Sequence, residues 1–95
     1  MNEPTSILVV DDEEGIRNYL KTLLKLKGYD VSTVASGSEA IEYFSSNPPP
    51  SLILMDMLMP EIDGLETLKR LRKSEKDLPV IMLSCIGETR TIVEA

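Results

Sequence analysis

The chain has 95 residues, enough for one domain spanning residues 1–95, and its 42% hydrophobic and 27% charged content is that of an ordinary globular protein rather than a disordered one. With a net charge of −6 and no basic run, the composition argues against an independent nucleic-acid surface. No histidine is present and the only cysteine is Cys85, so the chain has neither imidazole chemistry nor an internal disulfide.

Ile7 to Val10 is a continuous apolar run, as expected for a strand buried on both faces of a parallel sheet. No basic cluster precedes it and no apolar run approaches the roughly 20 residues that cross a bilayer. The expectation is a cytoplasmic protein with no membrane contact. The strand ends in Asp11-Asp12-Glu13-Glu14. Beyond it Ile16, Leu20, Leu23, Leu24 and Lys27 form one helical stripe, stopped at Gly28.

Val31 to Ala35 reads as a second strand. Ser36 stands three residues before Glu39, the spacing of a capping box, so a helix begins there with Ala40, Ile41 and Phe44 on its inner face. Pro48-Pro49-Pro50 ensures that this helix has ended. Leu52 to Met55 is a third apolar run, closed by Asp56. Leu65, Leu68 and Leu71 then mark a third helix ending near Lys73, and Val80 to Leu83 is a fourth strand. A fourth helix is expected from about Glu88, carrying Ile92 and Val93.

This alternation predicts an α/β fold, a doubly wound parallel sheet covered by helices on both faces. Such sheets bind ligands at the carboxyl ends of strands where the strand order reverses. In a flavodoxin-like order of 2-1-3-4 the reversal lies between strands 1 and 3, which end in Asp11-Asp12 and Asp56. Three carboxylates at adjoining strand ends repel one another unless a cation holds them. Oxygen-only ligands select Mg²⁺, Mn²⁺ or Ca²⁺, and a cluster this small suits Mg²⁺, which takes one or two carboxylates and keeps open positions. Asp56 qualifies as a nucleophile for a phosphoryl group, and the Ser84 hydroxyl, at the end of the fourth strand, as a hydrogen-bond donor to one of its oxygens. A plainer reading is also open. Asp11-Asp12 serve equally as caps for the following helix, Ser84 as a satisfied strand-end hydroxyl and Cys85 as a small buried residue. Met55, Met57, Leu58 and Met59 read as core or pocket rim.

Three segments, Ile7 to Glu13, Leu54 to Gly64 and Pro79 to Ser84, together make the whole chain similar to the receiver domains of two-component response regulators. The resemblance implies Asp56 as phosphoacceptor, Asp11 and Asp12 as the acidic pair, and Mg²⁺ bound by Asp12, Asp56 and the backbone carbonyl of Leu58, with Asp11 acting through metal-bound water. It implies that Ser84 turns toward the phosphoryl group and draws residues 85–89 with it. Pro60 and Gly64 fit the family's loop after the acceptor, with Gly64 the residue expected to need an unusual backbone conformation. A histidine kinase or phosphotransfer protein is the implied donor, a transcriptional output domain the implied effector, and the chain itself a phosphoacceptor rather than a turnover enzyme. The stretch from Gly87 to Ala95 is similar to receivers joined to ATPase-type activators.

One departure stands out. Receivers carry a fifth strand with a lysine that contacts the phosphoryl group, an aromatic switch residue and a fifth helix, and none of these is found through Ala95. Without them the fourth strand is expected to be a bare apolar edge, open to a further strand or to a second chain as a dimer. Other functions fit less well. Bound FMN phosphate would meet the repulsion of Asp11 to Glu14. A phosphohydrolase would need a general acid where Leu58 stands. A phosphorylation-independent interaction domain remains the alternative.

Overall fold

The computed structural model describes the backbone of residues 4–86 and 89–94 and the side chains of residues 4–83. Chain order runs β1 (Ser6–Val10), α1 (Glu14–Leu26), β2 (Asp30–Val34), α2 (Gly37–Ser46), β3 (Leu52–Asp56), α3 (Gly64–Leu71), β4 (Val80–Ile86) and β5 (Thr89–Glu94). The sheet order is β2-β1-β3-β4-β5. The first four strands are mutually parallel, in the expected flavodoxin-like order.

Alternation along each strand divides the apolar residues between two faces. Leu8, Val10, Ile53, Met55, Val80 and Met82 are buried in one cluster with Ala40 of α2 and Leu71 of α3. Ile7, Val9 and Val31 form the other, with Leu20 and Leu24 of α1 packed against them. Strands β1 and β3, with apolar residues on both faces, therefore form the centre of the molecule. The α1 stripe is only partly covered, with no fully buried residue and Leu23 at 37% exposure.

Local chemistry explains the helix ends. Ser36 Oγ accepts from the Glu39 amide at 3.1 Å, as the capping box requires, while Glu39 Oε1 reaches back to the amide of Ala35 rather than of Ser36. Asp63 Oδ1 accepts from the Glu66 amide at 2.8 Å and caps α3. Gly28, with φ +94°, ends α1 in the left-handed region that glycine tolerates.

The segment expected to be a fourth helix is a strand. β5 runs antiparallel to β4, with Ile86 opposite Thr89, Ser84 opposite Thr91 and Ile81 opposite Glu94. Four of its six residues, Thr89, Thr91, Ile92 and Val93, are β-branched and favour extended backbone. The outer ladder groups of β4 give that backbone its partners. The expected bare edge on β4 is thus filled by the chain itself, by a strand that contains no lysine.

Candidate functional site

The sheet reverses order between β1 and β3, which pair in register from Ile7 with Leu52 to Val10 with Met55. Each strand is thereby forced to end at the same edge. Asp11 follows Val10 directly and Asp56 follows Met55, so the register that pairs the two apolar runs also brings their terminal acids together. One carboxylate oxygen from each of Asp11, Asp12 and Asp56 lies within 4.8 Å of the others. Asp11 is fully buried, Asp56 is 5% exposed, and Asp12 is open to solvent.

Main-chain contacts hold this edge in shape. The Asp11 amide donates to the Val34 carbonyl at 3.2 Å, extending the β1–β2 ladder by one residue. Asp11 Oδ1 accepts from the Glu13 amide at 2.9 Å, a side-chain turn that aspartate forms readily two residues ahead. On β3, Asp56 Oδ1 accepts from the Leu58 amide at 3.2 Å, and the Met57 amide donates to the Leu83 carbonyl at 2.9 Å. The latter bond ties the residue after Asp56 to the residue before Ser84. Ser84 itself pairs in β4 one position beyond Leu83, the partner of Asp56, so its main chain reaches the acidic edge. Its hydroxyl, and the side chains of Cys85 and Ile86, lie outside the described residues.

The loop from Met57 to Asp63 closes on itself through a 2.8 Å bond from the Gly64 amide to the Met57 carbonyl. Gly64 is needed here for space, since a Cβ would lie 2.5 Å from the Asp56 carbonyl oxygen and 2.8 Å from Met57 Cα. The unusual backbone conformation falls instead on Glu61, at φ +66°. This corrects the expectation for Gly64. Leu58 is 62% exposed just beyond the end of β3, whereas Met55 and Met59 are core.

The donor set fits a small divalent cation. Opposite ligands of Mg²⁺ stand about 4.2 Å apart, twice its bond length, so oxygens already within 4.8 Å of one another are brought into its reach by small side-chain adjustments. Two of the three carboxylates are buried, where mutual repulsion is least screened by water. Two concave surfaces lie away from this edge, beside Tyr43 of α2 and the Pro48–Pro50 turn.

Sequence reasoning named every carboxylate of this cluster. It missed Arg17, whose Nη1 donates to the Asp11 carbonyl at 2.9 Å.

A parallel sheet of this order, with three acids at its switch point, is the arrangement of a receiver. The chain belongs to the response regulator receiver domain family, whose model matches residues 7–95. It is 46% identical over 87 residues to the probable transcriptional regulator ycf27 of Porphyra purpurea, an alignment covering 92% of this chain and 35% of that protein. It is 39% identical over 89 residues to the regulatory protein AtoC of Escherichia coli, covering 94% of this chain and 19% of that protein. The crystal structure of response regulator protein TrrA from Thermotoga maritima in complex with Mg²⁺-BeF superposes with a TM-score of 0.80 at 41% identity, covering 87% of this chain and 71% of that one. The chain spans about a third or less of the length of these two curated relatives. Among the described residues, no helix is long and apolar enough to cross a membrane.

Proposed function

We propose that this chain is the phosphoacceptor switch of a two-component phosphorelay, taking a phosphoryl group from a histidine kinase or phosphotransfer protein onto Asp56. The observation that carries the reading is the convergence of Asp11, Asp12 and Asp56 at the β1/β3 edge. Asp12, Asp56 and the Leu58 backbone carbonyl would hold Mg²⁺, with Asp11 acting through bound water. When bound, the cation neutralises charge on the phosphoryl oxygens. The Leu58 amide donates to Asp56 Oδ1 and orients the carboxylate, one oxygen of which attacks. In the transfer, that oxygen forms a bond to phosphorus as the phosphorus–nitrogen bond of the donor phosphohistidine breaks, and the imidazole leaves with the bond electrons. Ser84 supplies a hydroxyl to one phosphoryl oxygen.

The chain assists its own phosphorylation and dephosphorylation and is not a turnover enzyme. Its exchange with the kinase is placed in the cytoplasm, and its output, through a further domain, is control of transcription. A relative named as a transcriptional regulator and a neighbour solved with Mg²⁺-BeF support this reading. The test is incubation with Mg²⁺ and acetyl phosphate, followed by intact mass. One added phosphoryl group that requires Mg²⁺ and is lost in Asp56→Asn is the expected result. No addition would favour the phosphorylation-independent interaction domain.

A further inference from the structure

Among the three helices of the described residues, α2 and α3 each begin at a side-chain cap, Ser36 and Asp63, while the N-cap of α1, Glu13, makes no side-chain cap bond. Yet α1 follows directly on the turn that carries Asp11 and Asp12, where misplacement of the helix start would misplace two of the three acids. Arg17, the fourth residue of α1, ties the helix to that turn. Its guanidinium donates to the Asp11 carbonyl at 2.9 Å, and its own amide donates to the Glu13 carbonyl at 3.0 Å. Together with the Asp11 Oδ1 contact to the Glu13 amide, these bonds fix the turn from both sides.

Charge alone does not explain the arrangement. Asp11, Asp12, Glu13 and Glu14 all precede Arg17 in the chain, yet among the described residues Arg17 forms no ion pair with any of them. The guanidinium is directed at a main-chain oxygen, whose orientation sets the peptide plane between Asp11 and Asp12. A fixed positive charge beside a cation site also opposes cation binding. Its presence there calls for a geometric role.

We propose that Arg17 is a positioning residue of the acidic site, holding the Asp11 carbonyl so that the β1–α1 turn aims Asp11 and Asp12 at Asp56. The inference rests on the Mg²⁺ reading given under the proposed function, and charge and geometry predict opposite effects on that binding. Losing the cation without losing geometry tightens Mg²⁺ binding. Losing geometry weakens it, by about 10-fold for a group that orients a metal ligand.

The experiment is calorimetric titration of Mg²⁺ into the full chain, its Arg17→Gln variant and its Arg17→Lys variant at one ionic strength, with metal-free melting recorded for each. Lysine keeps the charge and the apolar stem but lacks the planar fork that pins a carbonyl. The expected result is cooperative melting in both variants and Mg²⁺ affinity lowered about 10-fold in both. Tighter binding in Arg17→Gln with unchanged binding in Arg17→Lys would overturn the proposal in favour of a purely electrostatic role. Unchanged affinity with lowered melting, or loss of folding in both variants, would overturn it in favour of a purely structural one. If the unsubstituted chain binds no Mg²⁺, the proposed function fails and this inference with it.

Discussion

Gly64 stands so close to Asp56 that a Cβ added to it would lie 2.5 Å from the Asp56 carbonyl oxygen. Backbone cannot yield as a flexible side chain does, so Gly64→Ala must move the end of β3 or the start of α3. The expected cost is about 1 to 3 kcal/mol of stability, the usual range for overpacking. Gly15 provides the contrast, since a Cβ there meets nothing within 4 Å and the residue lies in α1. Gly15→Ala should gain about 0.4 to 1 kcal/mol by narrowing the unfolded ensemble. Urea denaturation of the two variants checks both signs.

Glu61 holds a left-handed backbone conformation, φ +66°, that costs a residue with a side chain roughly 1 to 2 kcal/mol. Glycine adopts it freely but loses more entropy on folding, which offsets part of the gain. Glu61→Gly should therefore stabilise the chain by about 0.5 to 1 kcal/mol, and the β-branched Glu61→Val should destabilise it. Thermal melting of the pair decides, and a Glu61→Gly protein less stable than the parent would contradict the account.

Leu58 lies two residues beyond the acceptor, 62% exposed, and its alkyl side chain offers no hydrogen bond to a water approaching Asp56. The resemblance that implies Asp56 as acceptor also implies that this position influences how water reaches the aspartyl phosphate, so hydrolysis is expected to be slow. Leu58→Asn would supply one hydrogen bond, worth about 1 kcal/mol, and accelerate dephosphorylation about 5-fold. Loss of the phosphoryl mass over time measures it. A rate unchanged by the substitution would remove Leu58 from the explanation.

Mg²⁺ should raise the melting temperature by binding the folded acidic site and relieving its repulsion. Because carboxylate ligands must be ionised, the stabilisation should fade as the pH is lowered into the range where carboxylic acids protonate. Asp12→Ala removes an exposed ligand and should abolish most of the Mg²⁺-dependent shift with little effect on the metal-free protein. An undiminished shift would show that the site is misassigned.

The acidic cluster was legible because it depends on two local facts that a parallel register combines. Each apolar run ends in aspartate, and β1 lies beside β3. The last segment was less legible, since Ile92 and Val93 fit a helical face as well as a strand. What decided it was the unpaired edge of β4 together with four β-branched residues, and only the first of these is a tertiary fact. Residue type pointed to Gly64 for the unusual φ, but the loop needs Gly64 for clearance and places its strain at Glu61. Arg17 was invisible to pattern reading. Its partner is a carbonyl oxygen, and nothing in hydrophobic spacing or charge order marks a main-chain contact.

The central claim is that Asp56, and no other carboxylate, receives the phosphoryl group. An aspartyl phosphate is an acyl phosphate, which borohydride reduces to the alcohol, converting the modified aspartate to homoserine. After reaction with Mg²⁺ and acetyl phosphate, reduction and peptide sequencing by mass spectrometry should place homoserine at position 56 alone. Homoserine at Asp11 or Asp12, or none at Asp56 when the intact protein has gained a phosphoryl group, would contradict the account.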